Sequence, residues 1–142
     1  MSDLTDAALD YAARGFTPIP CEPGGKKPLV QWKAYQTAQP TPEDITRWWT
    51  TDFPDANIAL VLGAGVFAVD VDGPDGHAAL RGAGVEPPPT TPSCLTGRRV
   101  HYYFRGTQSD RIALLPHVDV RGVGIVIVPP SVHASGKTYT WL

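Results

Sequence analysis

The run Val66-Phe67-Ala68-Val69-Asp70-Val71-Asp72-Gly73 constrains this chain more than any other stretch. An apolar, partly β-branched segment enters two carboxylates one residue apart, and Gly73-Pro74-Asp75-Gly76 then breaks the pattern, which reads as a buried strand ending in a turn. Side chains alternate along a strand, so Asp70 and Asp72 project from one face. Two such carboxylates repel each other at neutral pH, and a hard divalent cation between them relieves that repulsion. A metal site is one reading. The other is structural, because Asp often bonds backbone amides where a strand turns. Asp72-Gly73 fits that second reading well, whereas Asp70 interrupts an apolar run. An EF-hand is excluded: Pro74 takes the third ligand place, Gly73 and Gly76 miss the required glycine, and Arg81 stands where the closing Glu belongs.

At 142 residues the chain is one domain, 1–142, long enough for a real core. Charged residues make up only 18%, against 42% hydrophobic ones, which places it with globular rather than disordered proteins. Its apolar runs are strand length, far short of the roughly 20 residues of a membrane helix. The acidic start Met1-Ser2-Asp3-Leu4-Thr5-Asp6 is unlike a signal peptide. A cytoplasmic protein without membrane contact is expected. Cys21 and Cys94 belong to no Cys-x-x-Cys pair, which argues against zinc and leaves both thiols reduced. Residues 73–142 carry seven Lys/Arg against four Asp/Glu, whereas residues 1–72 carry five against ten. That basic half permits phosphate contacts, although a solvated face would give the same count.

Leu4, Ala7, Ala8, Tyr11 and Ala12 recur at helical spacing and Gly15 closes a first helix; Phe16 to Pro20 then reads as a strand. The loop Gly24-Gly25-Lys26-Lys27-Pro28 could receive a phosphate but lacks the ending of a nucleotide P-loop. Thr41-Pro42-Glu43-Asp44 opens a second helix whose Ile45, Trp48 and Trp49 belong to the core rather than to a base-stacking platform. Residues 57–63 form a strand, and Gly63-Ala64-Gly65 turns it into the Asp70 strand as an antiparallel neighbour. His77 to Gly84 gives one or two helical turns, followed by the proline-rich connection Val85 to Pro92. Strands are expected at residues 100–105, 118–122, 124–129 and 137–142, with residues 112–116 ambiguous.

Three polar features interrupt these strands: Asp70/Asp72, His101, and Asp119 with Arg121. Each has a structural explanation of its own, as a satisfied strand histidine or a same-face ion pair. Together they are the parts of metal-dependent phosphoryl or nucleotidyl transfer.

The chain also resembles the bifunctional primase/polymerase (prim-pol) N-terminal domain of the archaeo-eukaryotic primase superfamily over nearly its full length. The similarity is carried, in order, by Ala8 to Phe16, Gly25-Lys26-Lys27-Pro28-Leu29 with Trp32, Ile45-Thr46-Arg47-Trp48-Trp49 and Ala56 to Gly63. Val69-Asp70-Val71-Asp72, Thr96-Gly97 with His101 to Arg105, Val118-Asp119-Val120-Arg121-Gly122, and Pro129-Pro130-Ser131-Val132-His133 with Gly136 and Tyr139 to Leu142 complete it. The resemblance implies an α/β (α+β) primase-like fold, in which a mixed or antiparallel RRM-like sheet lies beside an N-terminal helical unit. It implies a nucleotidyltransferase building nucleic acid from nucleoside triphosphates on single-stranded DNA, primed or unprimed, beside a replicative helicase in a phage, plasmid or mobile element. Asp70, Asp72 and Asp119 would hold two Mg²⁺ or Mn²⁺ ions, and His101 would contact the triphosphate with Arg121 and Lys27.

Two departures from the family pattern stand out. Arg98-Arg99-Val100 replaces a small, Gly-rich run before the motif histidine, and the sequence stops at Leu142 where relatives commonly continue. Two other functions are therefore carried beside the polymerase: a non-catalytic nucleotide- or nucleic-acid-binding module of the same fold, and a repair-type polymerase or terminal transferase. Nothing in the sequence requires more than a monomer.

Overall fold

The computed structural model describes residues 3–63, 65–88, 90–96 and 98–142, with Thr96 described at its backbone only. Ala64 of the expected turn, Pro89 of the connection and Gly97 of the Thr-Gly motif lie outside the described residues, as do Met1 and Ser2.

The first helical period becomes α1 (Asp3–Ala13), which buries Ala8 and Tyr11 and ends before Gly15 at φ 91°. Strand β1 (Pro18–Cys21) follows. Helix α2 (Pro42–Arg47) starts at a capping box: the Thr41 hydroxyl accepts from the Asp44 amide at 3.1 Å, and the Asp44 carboxylate accepts from the Thr41 amide. A π-type turn over Trp48–Asp52 then carries both tryptophans inward, with exposures of 4% and 1%. Trp49 Nε1 donates to the Ala56 carbonyl at 3.0 Å, so its one polar atom is satisfied inside the core.

The remaining elements are β2 (Asn57–Leu62), β3 (Val66–Asp72), α3 (Gly73–Gly82), β4 (Ser93–Thr96), β5 (Arg99–Arg105), β6 (Arg111–Leu115), β7 (Val118–Arg121), β8 (Gly124–Val128) and β9 (Thr140–Trp141). They make two sheets, β1-β2-β8 and β6-β7-β3-β5-β4-β9, and every pairing is antiparallel. With helices packed beside them, the architecture is α+β, as the sequence indicated. The expectation that β2 and β3 are sheet neighbours is wrong. Both edges of β2 are taken, by β1 and β8, and β3 lies in the other sheet.

The main core spans both sheets. It joins the fully buried strands β1 and β2 to Ala68, Cys94 and Tyr103 from the larger sheet and to Tyr139 just before β9. The opposite face of the larger sheet carries a second, smaller cluster, where Leu80 of α3 packs on Val71 and Val118. Helix α3 begins at Gly73 rather than near His77, because Gly73 at φ 69° turns β3 directly into a helix with Pro74 in its first turn. Gly76 lets the helix lie against the sheet: a Cβ there would stand 2.7 Å from the His117 carbonyl oxygen and 2.8 Å from Val71. No helix among the described residues is long and apolar enough to cross a membrane.

Candidate active site

Pairing register brings the polar interruptions together. Asp70 stands opposite His101 on β5 and opposite Asp119 on β7, so the three form one row across adjacent strands. The neighbouring rows on that face pair Asp72 with Arg99, and Ala68 with Arg121 and Tyr103. Val69, Val71, Val118 and Val120 take the other face, toward α3, which is why the carboxylates could interrupt an apolar run without being buried under the helix.

The polar row opens on a cleft of about 810 Å³ that Ile125, Val126 and Ile127 of β8 also line. Arg98, Arg99, Arg121, Lys26 and Lys137 also line it. Asp70 is 8% exposed. Its Oδ2 accepts from Arg99 Nη1 at 3.0 Å, and its Oδ1 lies 3.5 Å from His101 Nε2, an ion-pair distance too long for a hydrogen bond. Asp72 sits 2.7 Å from Arg98 Nε through Oδ1 and 3.4 Å from Arg99 Nη2 through Oδ2. Asp119 Oδ1 accepts from the Ala113 amide at 2.7 Å. That amide is aimed by a bulge between Arg111 and Leu115, where Ala113 takes φ 52°.

Burial pushes the His101 imidazole below its ordinary pKa; the Asp70 carboxylate pulls it up, while Lys26, Arg121 and Arg99 push it further down. Its Nδ1 is buried without a hydrogen-bond partner among the described residues. Asp70 Oδ1 and Asp72 Oδ1 are likewise buried and make no hydrogen bond among the described residues, although Arg98 stands beside the second. Hard carboxylate oxygens of this kind suit a hard divalent cation, so the donor set fits Mg²⁺ or Mn²⁺. Among the described residues, however, no group of three or more His, Cys, Asp or Glu stands ready as a ligand cage. The arginines hold Asp70 and Asp72, and the bulge amide holds Asp119.

Of the residues singled out from sequence, Asp70, His101, Asp119 and Arg121 line the cleft; Asp72 does not, but pairs with Arg98 and Arg99, which do. Lys27 does not line it, and Lys26 does. The cause is local. The Glu22 amide donates to the Lys27 carbonyl at 2.8 Å and Cys21 bridges Pro28, so this segment runs extended and its neighbouring side chains point opposite ways.

Asn57 fixes the same loop, donating from Nδ2 to Gly25 O at 3.1 Å and to Val132 O at 2.9 Å, while its Oδ1 accepts from the Val132 amide. Ser131 adds a reciprocal pair with the Ile58 backbone. One buried amide thereby positions both Lys26 and the loop that brings His133, Ser135 and Lys137 to the cleft. Sequence reasoning gave His133, Ser135 and Lys137 no place in the site; the polar Asn57 at the head of an apolar strand was the available signal.

A family model described as bifunctional DNA primase/polymerase, N-terminal, matches residues 8–142. No curated protein matches the chain. The match covers nearly all of the sequence and takes in every residue of the Asp119–Asp70–His101 row, so this chain belongs to the bifunctional DNA primase/polymerase N-terminal domain family.

Proposed function

We propose that this chain is a metal-dependent nucleotidyltransferase that extends nucleic acid from nucleoside triphosphates on a single-stranded DNA template. The observation that carries the reading is the row Asp119–Asp70–His101 on the wall of a cation-lined cleft. Asp70, Asp72 and Asp119 are the residues that would hold Mg²⁺ or Mn²⁺, which supply a more acidic 3′-hydroxyl and charge neutralisation at the leaving pyrophosphate. His101, with a buried and depressed imidazole, offers a ring N–H to a phosphate oxygen. Arg121 and Lys26 supply positive charge for the triphosphate, in a cleft where water screens them less than on an open surface. Lys27 is a weaker candidate for that role, since its neighbour occupies the cleft.

A phage, plasmid or mobile-element replication system, a replicative helicase as partner, a monomeric state and a cytoplasmic setting complete the proposal; the family resemblance supports the first two. A second reading, a binding module without turnover, is favoured by one observation: Arg98 and Arg99 are paired with the acids that catalysis needs.

Incorporation of labelled nucleotide on primed and unprimed single-stranded DNA, with Mn²⁺ or Mg²⁺ and beside an Asp70→Ala control, separates the two. Incorporation lost in the control supports the enzyme. Metal-dependent nucleotide binding without incorporation supports the module.

A further inference from the structure

Arg99 forks between Asp70 of the row and Asp72 of the neighbouring one. Its Nη1 lies 3.0 Å from Asp70 Oδ2 and its Nη2 lies 3.4 Å from Asp72 Oδ2, while Arg98 Nε holds Asp72 Oδ1 at 2.7 Å. A guanidinium bridging two carboxylates takes one oxygen of each, here the two Oδ2 atoms, and lays its positive charge where a divalent ion bound between them would lie. A bidentate ion needs those oxygens, and an ion on the Oδ1 atoms alone meets that charge. An ion entering beside two guanidinium groups would also meet like charge, screened only in part by solvent.

Arg99 has room to leave. Its side chain is 44% exposed, it sits on β5 two residues from His101 and on the same face, and it already lines the cleft with Lys26 and Arg121. A released guanidinium there needs an anion, and the phosphates of a nucleotide bound by His101 and Arg121 are that anion.

The geometry points to Arg99 as an exchangeable counter-ion: it neutralises Asp70 and Asp72 until a divalent metal displaces it, and then becomes a ligand to the nucleotide phosphates. This rests on the metal-dependent reading proposed above. Its consequence is coupling. Metal alone must break the ion pairs without compensation and binds weakly, whereas metal with nucleotide gives the displaced arginine a new partner, so each tightens the other.

The test is Mn²⁺ binding to the full chain, read from the loss of the free-ion electron paramagnetic resonance signal, with and without a non-hydrolysable nucleoside triphosphate. The chains compared are the unsubstituted protein, Arg99→Gln, Arg99→Lys and Asp70→Asn, each checked for folding by circular dichroism. Arg99→Gln is expected to bind Mn²⁺ alone more tightly, by roughly five- to tenfold, and to lose most of the tightening that nucleotide confers. Arg99→Lys, which keeps the charge without the fork, should fall between the two and serves as the readout should Arg99→Gln fail to fold.

Unchanged or weaker Mn²⁺ binding in the Arg99 variants, with Asp70-dependent binding in the unsubstituted chain, overturns the counter-ion role and leaves the metal reading standing. Mn²⁺ binding that is absent, or that is indifferent to Asp70→Asn, overturns both.

Discussion

Asp70 and Asp119 stand directly opposite each other across the β3–β7 ladder, two carboxylates in one register position. Like charges so placed destabilise a sheet by about 0.2–1 kcal/mol. Asp119→Asn removes that repulsion and keeps the oxygen that accepts the Ala113 amide. The expected outcome in urea denaturation is unchanged or slightly greater stability, by up to ~1 kcal/mol, together with loss of nucleotide incorporation. Full activity in Asp119→Asn would remove Asp119 from the metal-binding set.

Ala113 holds φ 52°, a left-handed conformation that a residue with a Cβ adopts at a cost of about 1–2 kcal/mol. Ala113→Gly keeps the amide that binds Asp119 and relieves the strain, so it should stabilise the protein by up to ~1 kcal/mol after glycine's entropic cost. Ala113→Pro deletes the amide and demands a negative φ. It should lower both stability and the rate of incorporation, which denaturation and primer extension measure separately.

Asn57 makes three hydrogen bonds to two loops from a position only 3% exposed. Asn57→Ala leaves two carbonyls and an amide without it, for an expected loss of about 2–4 kcal/mol. Because the same bonds set Lys26 and the His133 loop, the variant that remains folded should also bind nucleoside triphosphate more weakly in a fluorescence titration. Nucleotide affinity equal to that of the unsubstituted chain would mean that these loops do not contribute to the pocket.

Trp49 is 1% exposed and anchors the turn after α2 to Ala56. Trp49→Ala should cost about 3–5 kcal/mol in chemical denaturation. A stable variant with impaired DNA binding would instead return the tryptophan pair to a stacking role.

Cys21 and Cys94 are free and buried, and burial is the main cause that pushes each thiol up to about 12. At pH 8 both stay protonated, so neither should react with a thiol reagent in the folded protein. Two equivalents should titrate once denaturant is added; rapid reaction of the native chain would place one of these cysteines at an accessible surface.

Much of the local structure was legible in the sequence, because the signals involved span only a few residues. The period of two that sets Asp70 and Asp72 on one face needs no knowledge of neighbouring strands, and the Thr41–Asp44 cap and the α1 stripe are equally local. The resemblance named the family and, with it, the acids and His101. Other features depend on residues far apart in the chain, and only the tertiary structure settled them. Nothing between residues 57 and 72 tells that β2 and β3 part into different sheets, since that outcome depends on β1 and β8 claiming both edges of β2. Similarly, the loop that carries Lys26 is tied down by a bond from Asn57, 32 residues away, to the Gly25 carbonyl. Arg98 and Arg99 looked like a bulky departure from a small loop, and the β3–β5 register alone makes Arg99 the cation between Asp70 and Asp72. Alternation along a strand is fixed by backbone geometry, whereas register and ion pairing are fixed by what the rest of the chain packs against it.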